Sequence, residues 1–115
     1  STSTRTHQTA VLRNLAGVHL ITGQAAEAIP LLRVSCAREP KAFEAWYYLG
    51  AAYEAEGEYK EAADAFAKAV ALQPAHVEAR MHLGEACWER EELACAEDAF
   101  EAAVALLTNK VCVCE

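Results

Sequence analysis

The chain has 115 residues, 54% of them hydrophobic, and a formal net charge of −7. That length suits one domain around a single core, and the negative balance argues against a nucleic-acid surface, because it repels phosphate. The longest apolar run, Ala45 to Tyr53, is about half of the ~20 residues that a membrane-crossing helix needs.

Ser1 to Ala10 is polar and lacks the apolar core of a secretion signal. Residues 1–8 are expected to be a flexible N-terminal segment. From there apolar residues recur every three or four positions, which is one helical face. The pattern predicts helices over 8–22, 25–38, 42–56, 59–72, 76–90 and 93–107, with short turns that make neighbours antiparallel. Pro30 falls inside the second helix, where it removes a backbone donor and is expected to loosen or bend the first turns. The third helix carries Ala42, Ala45, Trp46, Leu49, Ala52 and Tyr53 on one face, and Gly57 stops it. The fourth carries Ala62, Ala63, Phe66, Ala69 and Val70 and ends at Gln73-Pro74, since a residue before proline avoids helical geometry. The last helix, with Ala102 to Leu107, holds more apolar surface than one neighbour can cover. Self-association through this end, or a chain that continues past residue 115, is therefore expected. The tail 108–115, with Cys112 and Cys114, is expected to be a disordered end; two thiols do not complete a metal site.

The strongest pattern is a period of 34 residues. Leu15, Leu49 and Leu83 keep it, as do Ala16, Gly50 and Gly84; Gly23 and Gly57; Ala28, Ala62 and Ala96; Leu32, Phe66 and Phe100; and Pro40 and Pro74. A fixed period of this size means one supersecondary unit copied and stacked, each copy covering its neighbour's apolar face. Residues 43–76 spell Trp46-x2-Leu49-Gly50-x2-Tyr53, then Ala62, Phe66, Ala69 and Pro74. This resembles the tetratricopeptide repeat at every signature position. The resemblance covers 9–107, as repeats 9–42, 43–76 and 77–107. It implies an all-α fold, a right-handed α-solenoid of three helix-turn-helix units. Trp46, Tyr53 and Phe66 are expected in its core. The flanking repeats depart from the pattern: His19 and Cys87 stand in the place of Tyr53, Leu12 and Arg80 in that of Trp46, Ser35 in that of Ala69, and Glu91 in that of the turn glycine. They are expected to pack less tightly.

In this family the first helix of each repeat lines a concave groove that holds a protein or peptide segment. The resemblance places Arg13, Asn14, Gly17, Leu20 and Ile21 there from the first repeat. The second repeat contributes Glu44, Tyr47, Tyr48, Ala51 and Glu54, and the third Glu78, Met81, His82, Glu85, Trp88 and Glu89. Aromatic and Met side chains suit binding hot spots. Family members that clamp the acidic tails of heat-shock chaperones use Lys, Asn, Asn, Lys and Arg at set groove positions. Those positions read Arg13, Gly17, Tyr48, Glu78 and His82 here, and Glu78 reverses a charge, so that ligand is excluded. The partner expected is a protein or peptide that is neutral or basic, with apolar anchors. His82, Glu85, Ala86, Cys87, Glu92, Leu93, Ala94, Ala96, Glu97 and Phe100 also resemble the third repeat of type III secretion translocator chaperones. That alternative, or a non-catalytic region of a larger enzyme, remains open.

Catalysis finds no support. His7, His19, His76 and His82 form no HExxH and no clustered ligand spacing, so neither metal nor cofactor is expected. Glu78 and His82 are one turn apart and are expected to pair on the surface, while His19 reads as an interior histidine. Charge is uneven: residues 1–41 hold five basic against two acidic residues, and 42–115 hold five against fifteen. The start is therefore basic and the remainder strongly acidic. Cys36, Cys87 and Cys95 sit in helical patterns, where a thiol behaves as a small apolar group. No disulfide framework is visible, and a reducing, cytoplasmic location is expected.

Overall fold

The computed structural model describes residues 2–111, with side chains over 7–108. Six helices follow in order: α1 (Thr2–Ile21), α2 (Ala25–Arg38), α3 (Phe43–Ala55), α4 (Tyr59–Leu72), α5 (Val77–Glu89) and α6 (Leu93–Val111). Each begins or ends within a residue or two of its expected bound, except at the chain ends. α1 opens at Thr2, so residues 2–7, expected as a flexible lead, are helical; they contain neither glycine nor proline to stop the ladder. α6 runs past residue 107 to Val111. Cys112, Val113 and Cys114 lie outside the described residues. α2 runs unbroken through Pro30.

The two helices of each repeat turn through one left-handed residue. Gly23 has φ +81° and Gly57 φ +77°, which glycine adopts without strain. The amide three residues after the helix end closes each turn: Gln24 N–H donates to the His19 carbonyl at 2.6 Å, and Glu58 N–H to Tyr53 at 2.9 Å. The third repeat makes the same bond, Glu92 N–H to Cys87 at 2.9 Å, with Glu91 at φ +61° where glycine would be relaxed.

Every helix packs on its chain neighbours. α1 also meets α3, and α3 meets α5, whereas α2 and α4 do not touch, nor do α4 and α6. The first helices of the repeats therefore form an inner layer. Small residues let the layers close. Ala28, Ala45, Ala52, Ala62 and Ala86 are fully buried, around Leu32 and Phe66. The closest approach is within a repeat: a Cβ on Gly50 would lie 2.8 Å from Phe66, and one on Gly84 2.7 Å from Phe100. The first repeat solves the same contact with Ala16 against the smaller Leu32, both fully buried.

Two core expectations need correction. Trp46 and Tyr53 are half-buried, not core; only Phe66 is fully enclosed. Trp46 spans a turn, and its Nε1–H donates to the Pro40 carbonyl at 2.8 Å. Arg80, in the equivalent place, donates from Nε to the Pro74 carbonyl at 2.6 Å, so the apparent departure keeps the bond. The period also fails at the ends. Leu49 is 5% exposed but its counterpart Leu15 is 45% exposed, with Val11 and Val18 exposed as well, since no described helix covers them. Val104 and Leu107 are similarly bare on α6.

Cys87 and Cys95 are joined by a disulfide with their Cα atoms 5.8 Å apart. They were expected to be separate thiols. Eight positions apart across a short helical turn, they face each other from α5 and α6, a relation that a search for secreted-type frameworks does not detect. Cys36 is a buried free thiol, its pKa pushed up to about 12 by burial. It behaves as the small apolar group expected.

Candidate functional site

The seam between α3 and α5 on the inner layer gathers most of the expected groove residues. Phe43 and Tyr47 stack at 5.5 Å, and Tyr47 lies 6.2 Å from Tyr48 between ring centres. Tyr47 also meets Phe66 edge-on at 5.8 Å and His82 at 5.7 Å. It is thus half embedded, and Tyr48 is half-buried as well. Met81 is exposed, and Trp88 is 61% exposed. Glu44, Glu78 and Glu85 are exposed acids on the same two helices. Farther along the inner layer, Arg13 and Leu20 of α1 are half-buried and Asn14 is exposed.

His82 pairs differently from expectation. Its Nδ1 lies 3.5 Å from Glu54 Oε1 and 3.2 Å from Glu85 Oε1, and Glu78 is not its partner. The reason is packing: the ring lies flat on Phe66, at 5.3 Å and 14°, which turns Nδ1 toward the α3 side. The Glu54 side chain is the main cause that holds the His82 pKa above its usual 6.5; Glu85 adds to it and burial opposes. Tyr47 is also pushed above its usual value, by burial first and then by Glu78 and Glu54. Glu54 contributes to both shifts. His19, read as an interior residue, is half-buried and partnered, with Nδ1 2.9 Å from Gln24 Oε1 and 3.6 Å from Glu27.

A cavity of about 550 Å³ opens beside this pair, lined by Glu54, Tyr59, Glu85, Trp88, Glu89 and Phe100. Glu54, Glu85, Trp88 and Glu89 come from the last turns of α3 and α5. The C-terminal end of each helix carries the negative end of its dipole. Three carboxylates, two helix C-terminal ends and an exposed indole face this cavity. Tyr59 and Phe100 belong to second helices, which the groove pattern does not include. Only their place beneath the inner layer brings them in, and linear spacing carries no signal of it.

Such a stack, with its first helices in an inner layer, defines a helical-repeat fold. The tetratricopeptide-repeat family model matches residues 43–76. The six helices fit three such repeats. No curated protein sequence matches it. Among solved structures, MamA residues 41-end from Desulfovibrio magneticus RS-1 is 25% identical over 89% of this chain and 58% of that one, with a TM-score of 0.83. This chain thus spans less than two thirds of MamA. The second tetratricopeptide domain of Spaghetti (RPAP3), bound to the HSP90 peptide SRMEEVD, is 19% identical over 90% of this chain and 98% of that one, with a TM-score of 0.82. The Sgt2 tetratricopeptide domain from Aspergillus fumigatus is 22% identical over 89% and 68%, with a TM-score of 0.79.

Proposed function

We propose that this chain is a non-catalytic protein-interaction module whose groove holds an extended protein segment with a cationic side chain and apolar anchors. The observation that carries this reading is the cavity at the ends of α3 and α5, where Glu54, Glu85 and Glu89 surround the exposed Trp88. A Lys or Arg side chain entering it meets carboxylates on one side and the indole face on the other, and cation–π contact of this kind is worth about 0.5–2 kcal/mol. Tyr48 and Met81 supply apolar anchors along the same layer, and Arg13, Asn14 and Leu20 extend the groove into the first repeat. The RPAP3 domain, of the same fold, holds the peptide SRMEEVD. An acidic segment of that kind is disfavoured here, because Glu78 and Glu85 would face its carboxylates. Capture from host extract on the wild-type protein, compared with the Tyr48→Ala, Trp88→Ala double variant, tests the reading. A specific partner lost in the double variant supports it; a partner retained in full argues for another surface.

Two finer readings accompany it. The apolar rows left bare on α1 and α6 favour self-association at moderate concentration, which light scattering at ~100 µM reads directly. The cytoplasmic location depends on reduced thiols. Acid trapping of Cys87 and Cys95 in cells followed by mass spectrometry decides it, since an oxidised pair places the chain in an oxidising compartment.

A further inference from the structure

The Nδ1 atom of His82 is shielded from solvent and makes no hydrogen bond of sound geometry, although two carboxylate oxygens stand 3.5 and 3.2 Å from it. The ring cannot easily turn away, because it is stacked on Phe66 and edged by Tyr47. Nδ1 and one oxygen each from Glu54 and Glu85 all lie within 4.8 Å of one another. When Nδ1 carries no proton, the three electron-pair donors repel unless a cation lies among them.

The spacing suits a metal ion. Two ligand atoms each ~2.1 Å from an ion stand ~3.0 Å apart in octahedral and ~3.4 Å apart in tetrahedral geometry. The two edges that meet at Nδ1 are 3.2 and 3.5 Å. One imidazole nitrogen with two carboxylate oxygens is a donor set for borderline divalent ions of the first transition row. Glu54 and Glu85 also line the cavity of about 550 Å³, which leaves room for water to complete the coordination. We propose that Glu54, His82 and Glu85 form a binding site for a divalent transition-metal ion such as Co²⁺ or Zn²⁺, and that the ion ties the second repeat to the third. Linear spacing hides the set, since Glu54 stands 28 positions before His82 on another helix. The site shares Glu54 and Glu85 with the cavity proposed to take a cationic side chain, so an ion bound there would compete with that ligand.

The test uses the whole protein with its disulfide intact and its free thiols alkylated by iodoacetamide, so that sulfur cannot bind the probe. Co²⁺ is titrated at pH 7.5 by calorimetry and by visible absorption. Saturable 1:1 binding is expected, with a cobalt d–d spectrum that lacks sulfur charge transfer. Glu85→Gln and His82→Gln should each weaken it at least tenfold, while Glu44→Gln leaves it unchanged. If His82→Gln does not fold by circular dichroism, Glu54→Gln takes its place. No saturable binding up to 1 mM Co²⁺, or equal affinity in the wild type and the Glu85→Gln variant, would overturn the proposal. In that case the cation among these groups is a proton alone.

Discussion

Gly50 and Phe66 touch so closely that the ring occupies the place of a side chain at position 50: a Cβ there would lie 2.8 Å from both Cδ1 and Cε1. Phe66 is fully buried and has no room to withdraw. Gly17 sits in the inner helix of the first repeat with nothing within 4 Å of its would-be Cβ. Alanine at either position gains helix propensity of up to about 1 kcal/mol. At Gly50 overpacking costs about 1–3 kcal/mol against that gain. Gly17→Ala is expected to raise the urea midpoint and Gly50→Ala to lower it. The double variant Gly50→Ala, Phe66→Leu, which copies the first repeat's Ala16–Leu32 pair, should be more stable than the two single changes sum to.

Ser35 is fully buried and its hydroxyl has no hydrogen-bond partner. Its counterparts Ala69 and Ala103 are buried alanines. A buried unsatisfied hydroxyl costs about 1–3 kcal/mol. Ser35→Ala is expected to stabilise the protein by about 1 kcal/mol in chemical denaturation. An unchanged or lower midpoint would show that the hydroxyl finds a partner in solution.

Glu91 holds the left-handed turn that Gly23 and Gly57 hold elsewhere. Left-handed backbone costs a non-glycine residue about 1–2 kcal/mol, partly offset by the greater freedom glycine has when unfolded. Glu91→Gly should therefore stabilise by about 0.5–1 kcal/mol, read as a rise in Tm. The Arg90–Glu92 ion pair at 3.0 Å is left in place.

His82 faces Glu54 from α3 and Glu85 from its own helix, with Tyr47 and Phe66 covering its ring. Its folded pKa is raised above 6.5. Its contribution is therefore fully present below about pH 6.5 and is lost as pH rises through the folded value. In EDTA, the stability lost on His82→Gln should be larger at pH 5.5 than at pH 8.5. A loss that is the same at both pH values would mean that His82 acts by packing alone.

The sequence shows the repeat because the spacing of helical contacts is local and regular. The period marks Gly50 and Gly84, Phe66 and Phe100, and Gly23 and Gly57 as repeated positions, and the fold shows each inner-helix glycine against its phenylalanine. What escapes it depends on neighbours across the fold. Arg80 replaces Trp46 by making the same bond to a proline carbonyl, which residue type alone conceals. Leu15 keeps the period yet lies exposed, since periodicity carries no information on which positions a neighbouring helix covers. Glu78 is the expected partner of His82 by helical spacing, but the Phe66 ring turns His82 toward Glu54. The inner-layer acids and Trp88 are visible as positions. Their convergence on one cavity, with Tyr59 and Phe100 behind, emerges only once α3 and α5 lie side by side.

The central claim is that the groove selects a cationic and apolar segment through the pocket at Trp88. A random peptide display selected in parallel on the wild-type protein and on the Glu85→Lys, Glu89→Lys variant measures this directly. The wild type should enrich Lys or Arg beside apolar residues, and the variant should lose that preference and turn toward acidic peptides. Enrichment of acidic peptides by the wild type, or the same preference in both proteins, would contradict the account.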